Sequence, residues 1–431
     1  MMSMRRIRLM GLLLGLLALP AQAALEVNVR EGVRAALPIA LVPFGGTDQF
    51  DVSLTEIASQ DLATTGLFKP LARDRMLGQP SRVEQINYAN WRTTEVDNIV
   101  VGSVAPDGNG NYRITFKIVD VYKESTVGSY QVFAKSNDLR SAAHMVANLV
   151  YEQFIGKKGY FLSRLAYVTA RNEGGTPRYR LMVSDYDGQN PRVIQSSRDP
   201  ILSPAWAPNG SQLAYVAFDV DRGRTVLRTH DLNTGDIREV SARQGINGAP
   251  AWSPDGSKLA MTLSFRGNPE IYTYDLGSKK LSQVTFHGAI DTEPAWSPDG
   301  QYIVFTSDRG GKPQVYRMRA TGGQVERMTF SGESNQRASF GPDGDKMTLV
   351  QGGDGGFRIA VLDLNTNNTR IVSRGPLDES PSFAPNGQAI IYAKSGRGGA
   401  NLAVVSSDGE VRSELAQSGD VREPAWSPAG Y

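Results

Sequence analysis

The chain has 431 residues, 40% of them apolar, enough to bury one large core or, more naturally, two. A formal net charge of +2 and the absence of cysteine argue against a nucleic-acid surface, a disulfide framework and a cysteine-borne lipid anchor. With 45 Gly, 23 Pro and only 8% aromatics, the composition suits many short strands joined by tight turns.

Residues 1–23, "MMSMRRIRLMGLLLGLLALPAQA", place Arg5, Arg6 and Arg8 ahead of an apolar run from Leu9 to Leu19, then Ala21 and Ala23 around Gln22. This predicts a secretory signal peptide cut after Ala23, because the run is roughly half of a membrane span. Its removal leaves 43 basic against 44 acidic residues, a net charge near −1. The expected product is an exported protein with no membrane anchor of its own and no affinity for nucleic acid.

The next stretch, "LEVNVREGV", alternates Leu25, Val27 and Val29 with Glu26, Asn28 and Arg30, then runs through Glu31 and Gly32 to Val33. Period-two alternation at a free end serves either as the edge strand of its own domain or as a strand donated to a partner sheet. Both alternatives stay open on pattern alone.

Residues 24–155 predict an α/β domain with a small mixed sheet. "ALPIALVPF" reads as a buried strand, and "VSLTEIASQDL" as a helix opened by a Ser53/Glu56 capping box. "NIVVGSV", "YRITFKIVDV" and "TVGSYQVFA" read as strands, and a last helix carries the stripe Leu139, Ala143, Val146, Val150 and Phe154. The link to the next domain is expected around Gly156 to Gly159.

From residue 160 to 431 a motif recurs: "SPAWAPNG", "APAWSPDG", "EPAWSPDG", "RASFGPDG", "SPSFAPNG" and "EPAWSPAG". Its aromatic falls at Trp206, Trp252, Trp296, Phe340, Phe383 and Trp426, in steps of 46, 44, 44, 43 and 43 residues. Between copies lie short β-branched and aromatic runs such as "KLAMTLSF", "EIYTYDL" and "LSQVTF", and no helical run of 10–15 residues. Four strands per period in the low forties predict an all-β six-bladed β-propeller. The first three strand candidates have no motif before them and the last motif has no strands behind it. The C-terminal strand should therefore pair with those three and close the ring. The motif's Pro, Gly and aromatic residues read as structural.

The three His share no close ligand spacing, so with no Cys a zinc site is not expected. His144 stands beside the apolar stripe of its helix, His230 fills a structural repeat slot and His287 lies in a loop. No Gly-x-Ser-x-Gly elbow and no phosphate-binding Gly-rich loop occurs. What remains is the mouth of the ring, where the connections into each inner strand converge. Asp291, Glu293, Asp378, Glu379, Asp420 and Glu423 predict an acidic mouth, suited to a basic peptide segment or to a trapped cation such as Ca²⁺. Protein binding is the favoured reading, with no catalytic residue and no cofactor. An enzyme of lyase or peptidase type with a channel site is the alternative.

The segments "LPIALVPF", "TGLFKPL", "NGAPAWSPDG", "TEPAWSPDG", "FTSDRGGKPQVY" and the terminal "PAWSP" together resemble the TolB family, periplasmic propeller proteins of the Tol-Pal system. The resemblance spans the whole chain. It implies a non-catalytic adaptor that binds Pal, the peptidoglycan-associated outer-membrane lipoprotein, at the propeller mouth through Asn247, Ala249, Asp291, Thr292, Glu293, Asp378 and Glu379. It further implies that Leu25 to Val33 bind the inner-membrane-anchored partner TolA, which favours the donated strand. Other Tol-Pal components, and bacteriocins that exploit the system, are implied as further partners, and support of outer-membrane integrity and of its invagination at division as the role.

Overall fold

The computed structural model describes residues 26–29, 36–47, 50–396, 399–415 and 420–428. The expected signal peptide lies outside them, as do Leu25, Arg30, Glu31, Gly32 and Val33. A first strand, β1 (Glu26–Val29), precedes a five-stranded mixed sheet. That sheet comprises β2 (Leu37–Leu41), β3 (Phe68–Pro70), β4 (Asn98–Pro106), β5 (Asn111–Asp120) and β6 (Ser125–Lys135), in the order β3-β2-β4-β5-β6. The β2 strand is parallel to β3 and β4, and the β4-β5-β6 part is antiparallel.

Two helices, α1 (Leu54–Thr64) and α2 (Leu139–Ile155), cover one face of this sheet. The predicted stripe of α2 is buried at Leu139, Ala143, Val146 and Val150, and burial spreads to Ala142, Ala147 and Tyr151 because the helix is covered on two sides. It ends at Gly156 in the left-handed conformation, φ 74°, which a glycine adopts without a Cβ penalty. Ser53 caps α1 in backbone geometry but makes no side-chain cap bond, so the expected capping box does not form. On the other face Leu71, Ile86, Trp91 and Val96 pack against Val42, Ile99, Val101 and Val119.

Six further sheets follow as blades. In the first, β7 (Arg164–Glu173), β8 (Thr176–Asp185) and β9 (Arg192–Ser197) take the C-terminal strand Asp420–Trp426 as their innermost member. Trp426 pairs with Leu165 and Val421 with Thr169, which closes the ring as expected. Within the blades the second strands are buried on both faces: Leu259, Ala260, Met261, Thr262 and Leu263 all lie inside. Each blade is sandwiched between two others, so apolar runs replace a strict alternation.

The repeated aromatic joins the blades by more than packing. Trp252 Nε1 donates to Ala205 O at 3.2 Å, Trp296 Nε1 to Ala251 O at 3.1 Å and Trp206 Nε1 to Ala425 O at 3.0 Å. Each indole N–H thus finds its partner on an inner-strand carbonyl of the preceding blade, so that the buried donor is satisfied and the two blades are bonded together. In the turn that follows, Asp255 accepts from Ser253 Oγ and from Ser257 N, which holds its carboxyl down at about 2. Gly256 completes that turn at φ 71°.

The join between the two domains is packed rather than loose. One apolar cluster runs from Leu62, Ala143 and Tyr151 through Tyr160 and Phe161 to Ile391, Leu402 and Trp426. Phe161 N donates to Asn148 Oδ1 at 3.2 Å, and a Cβ on Gly159 would clash with that same oxygen. Lys157 pairs with Asp343 at 2.9 Å and Asn386 Nδ2 donates to Lys158 O at 3.0 Å. Asp343 and Asn386 lie in the turns that leave the inner strands. The first domain therefore sits opposite the mouth, whose loops stay uncovered.

Candidate functional site

Each inner strand begins with three positions that play different parts. The first is buried, polar in four blades, where Asn247, Asp291, Asn335 and Asp378 are all 0% exposed, and apolar in the other two, at Ile201 and Val421. Asn247 Oδ1 accepts from Ser241 Oγ at 2.6 Å and Arg243 N at 2.9 Å, while its Nδ2 donates to Thr225 O and Arg243 O. Asp291 takes Arg309 Nη2 on both oxygens, at 3.0 and 2.7 Å. Asp378 Oδ2 accepts from Gly375 N at 2.8 Å. These side chains fasten the mouth loops from beneath, so Asn247, Asp291 and Asp378 are not available as direct contacts, contrary to expectation.

The second position stands at the rim. Here Glu379 is exposed and Thr292 is half-buried, its hydroxyl 3.2 Å from that of Thr262. The third position turns inward. Ser203, Ala249, Glu293, Arg337, Ser380 and Glu423 have φ between 47° and 55°, each at a break in the strand register. A left-handed non-glycine residue is strained, and five of these six precede proline, which disfavours helical backbone further. The strain aims six side chains at the ring axis, where they line a channel of about 440 Å³.

The chemistry of that channel is not simply acidic. Arg337 Nε lies 3.3 Å from Glu293 Oε1 and its Nη2 3.8 Å from Glu423 Oε1, while Nη1 donates to Ser380 Oγ at 2.8 Å. Glu293 Oε2 also accepts from Thr306 Oγ1 at 2.9 Å and from Arg337 N at 3.0 Å. Asp420 is paired with Arg422, 2.5 Å apart. The carboxylates expected to form an acidic mouth are thus largely matched by arginines. A guanidinium stands between Glu293 and Glu423 in the channel.

Pattern reading passed over the apolar residues of the same loops. Ile246, Ile290 and Leu377, each one residue ahead of a buried polar position, are 47%, 49% and 38% exposed, and Phe286 and Phe330 are 75% and 68% exposed. Apolar side chains on loops ahead of a buried Asn or Asp were the available signal. Exposed apolar side chains on the loops of one face are of the kind that marks a protein-binding surface.

The second feature is β1. Its residues join neither the first domain's sheet nor a sheet of their own, but pair antiparallel with Val411–Leu415, the outer strand of the last blade. Glu26 stands across from Glu414, Val27 from Ser413, Asn28 from Arg412 and Val29 from Val411. That blade then has five strands, from β1 at one edge to Asp378–Phe383 at the channel.

No helix among the described residues is long and apolar enough to cross a membrane. A family model of the TolB β-propeller domain matches residues 151–430, and one of the TolB amino-terminal domain matches residues 25–127. The Tol-Pal system protein TolB of Thioalkalivibrio sulfidiphilus is 49% identical over 429 residues, covering 98% of either chain. That of Nitrosococcus oceani is 48% identical over 428 residues, again with 98% of each chain covered. The crystal structure of TolB from Acinetobacter baumannii superposes with a TM-score of 0.86 at 37% identity, over 94% of this chain and 100% of that one. With both domains matched in order and relatives aligned nearly end to end, the chain belongs to the TolB family of Tol-Pal system proteins.

Proposed function

We propose that the protein is a non-catalytic periplasmic adaptor, which binds Pal at the propeller mouth and TolA through Leu25 to Val33, in support of outer-membrane integrity and of invagination at division. The observation that carries this reading is the docking of β1 on the last blade. A four-residue strand held by backbone pairing at a sheet edge can be exchanged for an equivalent edge on a partner. The residues lining the channel include no histidine, and their charged members, Glu293, Arg337 and Glu423, engage one another. That pairing favours a structural channel over an enzymatic one.

The last blade offers a physical link between the two sites. Its inner strand begins with Asp378 and Glu379 at the mouth, and its outer edge carries β1. A partner at the mouth shifts the docked and released states of β1 only by binding them unequally. The test is calorimetric titration of the protein with the soluble domains of Pal and of TolA, alongside Glu379→Lys and a deletion of residues 25–33. The expected result is that the deletion abolishes TolA binding and spares Pal, while Glu379→Lys weakens Pal. Loss of both partners on deletion would sink the two-site reading.

A further inference from the structure

A second cluster of chemistry lies away from the mouth, where the first domain meets the first blade. Asp61 on α1 and His144 on α2 face Asp185, Tyr186 and Asp187, at the end of β8 and in the turn beyond it. Asp61, His144 and Tyr186 are 2%, 3% and 5% exposed. His144 Nδ1 is 2.7 Å from Asp61 Oδ2, and Tyr186 donates its hydroxyl to Asp61 Oδ1 at 2.6 Å.

These two bonds orient the imidazole. In the neutral ring a carboxylate against Nδ1 favours the proton there, which leaves the lone pair on Nε2. Nε2 is buried and has no hydrogen-bond partner among the described residues. Such orphaned polar atoms are rare in a folded interior and call for a ligand. A ring nitrogen of His144 and one oxygen each from Asp185 and Asp187 lie within 4.8 Å of one another.

We propose that His144, Asp185 and Asp187 bind one divalent transition-metal ion of the zinc class, which clamps the first domain to the first blade. One imidazole and two carboxylates suit zinc and leave a fourth position for water. The hard ions Mg²⁺ and Ca²⁺ prefer all-oxygen sites. Asp61 supplies what metal-bound histidines ordinarily have, a carboxylate on the far ring nitrogen that fixes the tautomer and raises ligand basicity.

Arg140 is the competitor for the same carboxylates. Its Nε lies 3.3 Å from Asp185 Oδ2 and its Nη2 contacts Asp187 Oδ2. Asn190 Nδ2 donates to Asp185 Oδ2 at 2.7 Å and Gln189 N to Asp187 Oδ1 at 3.1 Å, which hold the turn in place. The Arg140 side chain is a quarter exposed, so it sits on the solvent side and can swing out as an ion enters. Asp61, Asp185 and Asp187 outnumber Arg140 by two charges when His144 is neutral, and a divalent ion would balance that excess.

The test is titration of the chelator-treated protein with ZnCl₂, followed by calorimetry and by ¹⁵N NMR of the three histidines. The expected result is one equivalent bound, with only the His144 Nε2 resonance shifted. His144→Gln and Asp187→Asn should each weaken binding at least ten-fold, His287→Gln should leave it unchanged, and Arg140→Ser should tighten it. If a variant fails to fold, the histidine spectrum of the unaltered protein still decides the matter. The proposal is overturned if neither the wild type nor Arg140→Ser saturates with Zn²⁺, if another histidine carries the shift, or if MgCl₂ binds equally well. It stands or falls independently of Pal and TolA binding.

Discussion

Arg337 and Glu293 meet at the centre of the ring, Nε to Oε1 at 3.3 Å, and Glu423 closes on the same guanidinium from the last strand. Arginine here acts as a tethered cation between two carboxylates. Replacing it by serine leaves Glu293 and Glu423 unpaired around a polar channel, a setting that suits an oxygen-seeking ion. Arg337→Ser should therefore bind Ca²⁺ at least ten-fold more tightly than the wild type by calorimetry. Equal affinity in the two would show that Arg337 does not hold the place of an ion.

Asp378 has an uncomfortable version of the position that Asn247 and Asn335 fill. Burial raises its carboxyl above the ordinary 3.8, against the pull of Ser373 and Gly375, and its Oδ1 has no hydrogen-bond partner among the described residues. In the two other blades an asparagine Nδ2 donates to the carbonyl four residues earlier, at 2.7 Å. A carboxyl whose folded pKa is raised costs stability once pH passes its unfolded value. Asp378→Asn should thus stabilise the protein at pH 7 by about 1 kcal/mol, with the gain fading below about pH 4. Thermal melts at the two pH values read the difference.

The indole bonds predict a graded cost along the ring. Trp252→Phe keeps most of the packing but removes the indole's bond to Ala205 O of the preceding blade. A loss of about 1 kcal/mol is expected, seen as a lower urea midpoint at unchanged slope. A loss no larger than that of an exposed control substitution would mean that the aromatic contributes through packing alone.

Deleting residues 25–33 removes β1 and bares one edge of Val411–Leu415. Amides of that strand that face β1 should then exchange at least ten-fold faster, while Ala389–Gly396, paired on both sides, keeps its protection. Uniform exchange before and after the deletion would show that β1 does not dock in solution.

A β-branched residue on the strained ring should be poorly tolerated. Ser203 has φ 51° ahead of Pro204, and Ser203→Val should cost roughly 1–3 kcal/mol in chemical unfolding. The same change at exposed Ser196, in ordinary strand β9, should be near neutral.

The architecture was legible in the sequence because it is written in short-range chemistry. The spacing from Trp206 to Trp426, the Pro-Asp-Gly turns and the unmatched ends at Ser163 and Trp426 specify six blades and their closure through local strand and turn preferences. The exposure of Glu379 at the rim also followed from its place ahead of an inner strand. Burial and pairing did not follow. Asn247, Asp291 and Asp378 read as surface contacts until folded loops closed over them, and Arg309, Arg337 and Arg422 offset four of the six carboxylates of the acidic mouth. The alternation of Leu25 to Val33 could mark a strand but not choose its neighbour, which proved to lie nearly 400 residues away in the chain. Likewise His144, Asp185 and Asp187 did not read as one set, since His144 lies 41 positions before Asp185 and on a helix of the other domain. Sequence by itself determined which segments become strands, turns and blades, since hydrophobic period and turn chemistry act between near neighbours. Only the tertiary structure decided which charges meet, because Coulomb and hydrogen-bond energies depend on distances that ring closure and domain packing set.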